Sequence, residues 1–168
     1  MHVRSAEPSD FDFELALNAE FEKLLSPLDR AGLLRLDSIA VAHRVAEQQG
    51  ELAGFLLALG EGEDYASPNY RWFAARYARF LYVDRVVVAP RHRGRGVASA
   101  LYGDLFALGA RSGRQLVTCE YDREPLNEAS ARFHARLGFR EIGTLAHASK
   151  VVSLQEARIA LPSAGERA

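Results

Sequence analysis

The stretch from Phe80 to Leu101, FLYVDRVVVAPRHRGRGVASAL, limits what this chain can fold into more than any other. Phe80, Tyr82, Val86 and Val88 share one face of an extended segment, and Leu81, Val83 and Val87 share the other. Apolar residues on both faces specify a central strand covered on two sides. Asp84 interrupts one face and Arg85 the other. Ala89-Pro90 ends the strand, because proline has no N–H to give to a ladder. Beyond Arg91-His92-Arg93-Gly94-Arg95-Gly96, the residues Val97, Leu101, Leu105 and Leu108 recur at helical spacing until Ser112-Gly113 stops the pattern.

The loop between strand and helix has chemistry of its own. Glycines at 94 and 96 remove side chains that would keep a ligand from the backbone. The first helical turn has N–H groups with no intrahelical acceptor, and the helix dipole favours negative charge there. Amides aimed outward from such a turn suit a phosphate or pyrophosphate, and Arg91, Arg93 and Arg95 add positive charge. The alternative is a glycine-rich turn carrying solvated arginines. Two other phosphate motifs do not fit: the loop has no Gly-Lys-Ser/Thr, and no third glycine at the dinucleotide spacing.

Val88-Ala-Pro-Arg-His-Arg-Gly-Arg-Gly-Val-Ala98 resembles the acetyl-CoA motif of the GNAT superfamily of N-acetyltransferases, Arg/Gln-x-x-Gly-x-Gly/Ala. Arg91 to Gly96 fits it, and Arg93 to Ala98 fits it in a second register. Further on, Asn127-Glu-Ala-Ser-Ala-Arg-Phe-His-Ala-Arg-Leu-Gly-Phe139 is similar to the superfamily's other signature, Asn-x-x-Ala-x-x-Phe-Tyr-x-x-x-Gly-Phe. Two motifs in the right order are far more specific than either alone. The resemblance implies an α/β fold with a mixed, mostly antiparallel central sheet, a splay between two central strands, and helices on both faces.

Length and composition agree with that outline. A chain of 168 residues, 48% hydrophobic and 26% charged, is expected to form one domain over residues 1–161, with a frayed tail at 162–168. A net charge of −1 gives no global attraction to nucleic acid or to an anionic membrane. The stretch from Arg71 to Arg95 nevertheless holds seven arginines and one acid, which suits a polyphosphorylated ligand. The single cysteine, Cys119, excludes an internal disulfide and falls in an apolar strand pattern. Neither a signal-peptide pattern nor a membrane-length apolar run is present, so a cytoplasmic location is expected. His43, His92 and His147 show no metal-ligand spacing, and no metal is expected.

Along the chain, His2-Val3-Arg4 reads as a first strand, residues 8–25 as a helix, and Leu28 to Leu36 as a second helix. Ile39 to Glu47 and Leu52 to Leu59 form a hairpin around Gln48-Gln49-Gly50-Glu51. Tyr65, Tyr70, Trp72, Phe73 and Tyr77 cluster before the central strand, either as a cap over a sheet edge or as an acceptor lid. Arg114 to Glu120 is a strand, Asp122 to Leu126 a loop, and Asn127 an N-cap for a helix ending at Gly138. Phe139 to Leu145 and Val151 to Leu161 are the closing strands.

The resemblance implies direct transfer of an acetyl group from acetyl-CoA, as acyl donor, to a primary amine of a small molecule or peptide. It places the backbone of Val86, Val87 and Val88 against the donor. Arg91, Arg93, Gly94, Arg95, Gly96, Val97 and Ala98 fall around its pyrophosphate, and Asn127 on its arm. As general base it offers Glu120, and Asp84 is the other carboxylate in an apolar strand; a carboxylate so placed can accept a proton near neutral pH. The bland reading of each is an ion pair, Asp84 with a nearby arginine and Glu120 with one such as Arg123. Where the superfamily has a tyrosine that protonates the CoA sulfur, this chain has His134, which can donate a proton; water and a purely structural histidine are the alternatives. A non-catalytic acyl-CoA-binding module is the competing function. A nucleic-acid binder is disfavoured, since no recognition motif accompanies the arginines. The resemblance allows a homodimer.

Overall fold

A computed structural model describes residues 1–160, and the expected tail at 162–168 lies outside the described residues. Seven strands form one sheet: β1 (His2–Ser5), β2 (Ala40–Gln48), β3 (Glu51–Leu59), β4 (Leu81–Val88), β5 (Leu116–Glu124), β6 (Arg140–Ala146) and β7 (Val151–Arg158). Their order is β1-β2-β3-β4-β5-β7-β6. The pairs β1–β2, β2–β3, β5–β7 and β6–β7 are antiparallel, and β4–β5 is parallel. Five helices accompany the sheet among the described residues: α1 (Phe11–Glu20), α2 (Arg30–Ile39), α3 (Pro68–Ala74), α4 (Val97–Arg111) and α5 (Glu128–Arg136). This is the mixed, mostly antiparallel architecture expected from the motifs. The parallel pairing of β4 with β5 runs through Leu81↔Val117 and Tyr82↔Thr118.

The chain divides into two compact units, each discontinuous in sequence. The first comprises Met1–Leu59 and Val83–Leu105. Its hairpin turns through Gln49 and Gly50, both at positive φ, and continues β2 into β3. Leu17 of α1, Val45 of β2, Phe55 of β3, and Val87 and Ala89 at the end of β4 form one buried cluster. The helix expected over 8–25 is shorter. Pro8–Asp10 is a 3₁₀ turn, and α1 stops at Glu20, where Phe21 leaves helical geometry at φ −120°. The second helix starts at Arg30 and not at Leu28, because Asp29 is its N-cap and accepts from the Gly32 amide at 2.7 Å.

The second unit comprises Gly60–Tyr82 and the chain from Phe106 onward. Tyr70 and Phe73 of α3 are buried and pack their rings on Tyr82, with Phe80 on Tyr70. The Tyr70 hydroxyl donates to the Gly60 carbonyl at 2.8 Å. The aromatic cluster is therefore core at these positions, as the cap reading expects. Strand β5 extends through Glu124, into the stretch expected as a loop, because Tyr121, Asp122 and Glu124 each pair with a residue of β7. Cys119 lies inside β5 and is 2% exposed.

Candidate active site

In the first unit the loop after β4 is built from an anchored base and an open rim. His92 is buried; its Nδ1 lies 3.0 Å from Gln48 Oε1 and its Nε2 3.6 Å from a Glu51 carboxylate oxygen. Arg91 pairs with the same Glu51 at 3.3 Å, and the Arg93 guanidinium sits 4.7 Å over the Phe21 ring. These contacts fix the loop's root while Arg91, Arg93, Gly94, Arg95 and Gly96 remain exposed. Gly94 and Gly96 adopt φ of +70° and +84°, where L side chains are strained, and a Cβ on either would point into open space. Val97 is buried behind them and opens α4, whose first intrahelical bond runs from the Ala100 amide to the Gly96 carbonyl. The amides ahead of it lack intrahelical acceptors, as at any helix start. A cavity of about 340 Å³, walled by Phe13, Ala16, Leu17 and Glu20 of α1, adjoins Ala89, Pro90 and Arg91.

Strand β4 approaches this loop under a constraint the sequence reading missed. A Cβ at Gly54 of β3 would lie 2.5 Å from the Val87 carbonyl oxygen and 3.2 Å from the Val88 Cα. Glycine at 54 is what lets the backbone of Val87 and Val88 lie so close to β3, and the Ala89 amide then donates to the Ala53 carbonyl at 2.9 Å. The only sequence signal was a glycine inside an apolar strand, which marks a close backbone approach. Val86 and Val88 are half-buried and Val87 is buried, so backbone and side chain play separate parts here.

Asp84 sits beside the fully engaged Arg85. Arg85 Nε donates to Asp84 Oδ2 at 2.8 Å, and its Nη1 donates to Asn18 Oδ1 at 2.9 Å. Both side chains of the ion pair are about 5% exposed. On the same unit, His43 lies between two carboxylates, Glu14 at 2.6 Å from Nε2 and Asp37 at 2.7 Å from Nδ1. Burial alone would lower the His43 pKa, but the two acids outweigh it and raise it. That arrangement joins α1, α2 and β2, and no motif announces it.

The second unit holds the remaining candidates. Glu120 Oε1 accepts from the Tyr82 hydroxyl at 2.9 Å and from Asn69 Nδ2 at 2.8 Å. Arg123, the partner expected in the ion-pair reading, bonds instead to Glu141 at 2.9 Å. Asn127 caps α5, its Oδ1 accepting from the Ser130 amide at 3.1 Å. His134 is buried, stacked on Tyr121 at 5.6 Å and edge-on to Phe139. Its Nδ1 lies 2.8 Å from the Ser130 carbonyl, which can only accept, so Nδ1 carries the proton. Burial holds the imidazole pKa below its ordinary value. Burial thus favours the neutral imidazole over the charged one.

A mixed seven-stranded sheet with a glycine-rich, arginine-lined loop between β4 and the start of α4 is the frame of this site. The profile of the acetyltransferase (GNAT) family matches residues 9–139, and the chain belongs to that family. It is 48% identical over 59 residues to phosphinothricin N-acetyltransferase of Streptomyces coelicolor, covering 35% of this chain and spanning one third (33%) of that enzyme. Among solved structures it is similar to yncA, a putative acetyltransferase from Salmonella typhimurium solved with acetyl-CoA. The TM-score is 0.73 and the identity 17%, over 100% of this chain and 99% of that one. It is also similar to a ribosomal-protein-alanine N-acetyltransferase from Brucella melitensis, with TM-score 0.71 and 20% identity over 94% and 99% of the two chains. No described helix is long and apolar enough to cross a membrane.

Proposed function

We propose that the chain transfers the acetyl group of acetyl-CoA directly to the primary amine of a small molecule or peptide. The observation that carries this reading is the loop Arg91–Gly96: two positive-φ glycines opening onto free space, ringed by exposed arginines, at the start of α4. That cradle fits a pyrophosphate, which a Cβ would obstruct. Arg91, Arg93, Gly94, Arg95, Gly96, Val97 and Ala98 would hold it, the backbone of Val86, Val87 and Val88 would bind the adjoining arm, and Asn127 would contribute from the start of α5. Acetyl-CoA supplies a thioester carbonyl open to attack by a deprotonated amine.

Glu120 is the residue we assign to take the amine's proton. Two donors converge on one of its oxygens and hold the carboxyl group in place, as a base within reach of the amine requires. Asp84 is the second candidate, and its engagement with buried Arg85 makes it the weaker one. For the proton returned to sulfur, His134 and water are the two proposed sources, and the buried imidazole's bond to the Ser130 carbonyl and lowered pKa weigh toward water. Similarity to the phosphinothricin N-acetyltransferase of Streptomyces coelicolor favours a small amine, and similarity to the ribosomal-protein-alanine N-acetyltransferase of Brucella melitensis keeps a peptide amine as the alternative.

Calorimetry with acetyl-CoA on wild type and Gly94→Glu tests the cofactor site. Binding that is lost in the variant is the expected result, because the new carboxylate enters the cradle. No binding by folded wild type overturns the proposal. Thiol release in the presence of phosphinothricin or an alanine-first peptide then separates turnover from an acyl-CoA-binding module that does not turn over.

A further inference from the structure

Glu120 is held from outside its own strand. Its two donors come from elsewhere in the second unit: Tyr82 at the start of β4, 1% exposed, and Asn69 at the start of α3. Asn69 is itself fixed at its other end. Its Oδ1 lies 3.0 Å from Nε2 of His147, in the turn between β6 and β7. An amide that gives its N–H to a carboxylate must present its oxygen to the imidazole, so the directions are consistent: His147 donates to Asn69, and Asn69 donates to Glu120. The turn is closed by the His147 amide, which donates to the Lys150 carbonyl at 2.7 Å, and tied to β5 by Lys150 Nζ, which pairs with Asp122 at 2.7 Å. Asn69 is pinned by the helix it opens, whose N-cap Ser67 accepts from the Tyr70 amide and whose Tyr70 and Phe73 are buried.

We propose that Asn69 and His147 are positioning residues that orient the Glu120 carboxylate and keep it ionised for proton removal from the acceptor amine. This rests on the assignment of Glu120 as the base. A half-buried carboxylate with three rotatable bonds otherwise samples several rotamers, and a base contributes only while it lies within hydrogen-bond reach of the proton it takes. Two donors on one oxygen select one rotamer and favour the charged form. The inference also gives the segment before β4 a role besides packing: Tyr70 and Phe73 anchor α3, and α3 delivers Asn69.

The test follows the side-chain carboxyl signal of Glu120 by carbon NMR through a pH titration, the signal being assigned by its loss in Glu120→Gln. The titratable groups linked to it include Tyr82 of β4 directly and His147 through Asn69, and Asp122, two residues on in β5, carries the Lys150 ion pair. Asn69→Ala and His147→Ala are expected to move the Glu120 midpoint to higher pH, and His147→Gln, which keeps an N–H donor, to restore it. Glu128→Gln, an exposed control on α5, leaves it unchanged. A midpoint identical in all folded variants overturns the inference. Should Asn69→Ala fail to fold, the His147→Ala and His147→Gln pair decides alone, since His147 lies in a half-exposed turn. Turnover separates the two levels. Loss of about tenfold in kcat with unchanged KM for acetyl-CoA in Asn69→Ala, absent on a Glu120→Gln background, supports positioning through Glu120. Full activity in Glu120→Gln overturns the base assignment, while a flat titration beside an inactive Glu120→Gln overturns the clamp alone.

Discussion

Asp10 is 4% exposed, and a buried carboxylate is tolerated there because hydrogen bonds replace the water it loses. Arg4 donates to both of its oxygens, at 2.7 and 2.9 Å, and the Glu7 amide donates to one of them at 2.8 Å. Arg4's hydrogen bonds hold the Asp10 pKa below its ordinary value. A depressed folded-state pKa means that the stabilisation is present above the unfolded-state pKa and is lost as pH falls through the folded one. Asp10→Asn should cost about 1–3 kcal/mol at neutral pH. The gap between variant and wild type should close under acid conditions below the ordinary carboxylate range, read from urea unfolding at several pH values. At this scale the sequence spoke clearly where a residue type has one use. Gly94 and Gly96 in a basic loop and Asn127 before a helix were readable because their offsets are short and local. Asn69, Tyr82 and His147 were not, because what joins them to Glu120 is a contact between residues 38 to 78 positions apart, or more loosely between distant segments, and carries no periodicity.

At the scale of elements, the hydrophobic alternation placed the strands well and their ends less well. Strand β4 starts one residue later than its apolar run, while β5 continues past its apolar run because β7 offers a partner through Val151. Pairing, not composition, sets where a strand stops. The close passage of β4 over Gly54 is the element-level feature with the sharpest consequence. Gly54→Ala places a methyl 2.5 Å from a backbone oxygen, and backbone cannot yield as the tip of a side chain does. A cost of about 1–3 kcal/mol is expected. Weakened acetyl-CoA binding should accompany it, because the displaced segment is Val87–Val88. Thermal unfolding and calorimetry on the same sample check both arms. Unchanged binding in a destabilised variant would separate the strand's packing from the ligand.

At the scale of the whole molecule, the first unit closes only with sequence from beyond residue 59. Leu17, Val45 and Phe55 pack against Val87 and Ala89, so a fragment of residues 1–59 lacks one wall of its own core. Such a fragment should show no cooperative unfolding and a collapsed amide NMR dispersion; a dispersed spectrum would contradict this account. That dependence on a later strand was partly visible in advance, since a segment apolar on both faces demands partners on both sides. The division into two units was not visible, because no linker or change in composition marks residues 59, 82 or 105. One buried atom supplies a way to watch these properties. The sulfur of Cys119, enclosed in β5 and alone of its kind in the sequence, is shielded from a thiol reagent while the fold is intact. A colorimetric reagent added to the enzyme therefore reads released coenzyme thiol against a silent protein background. The same reagent without substrate counts opening events of the strand next to Glu120, one thiol for each molecule that opens.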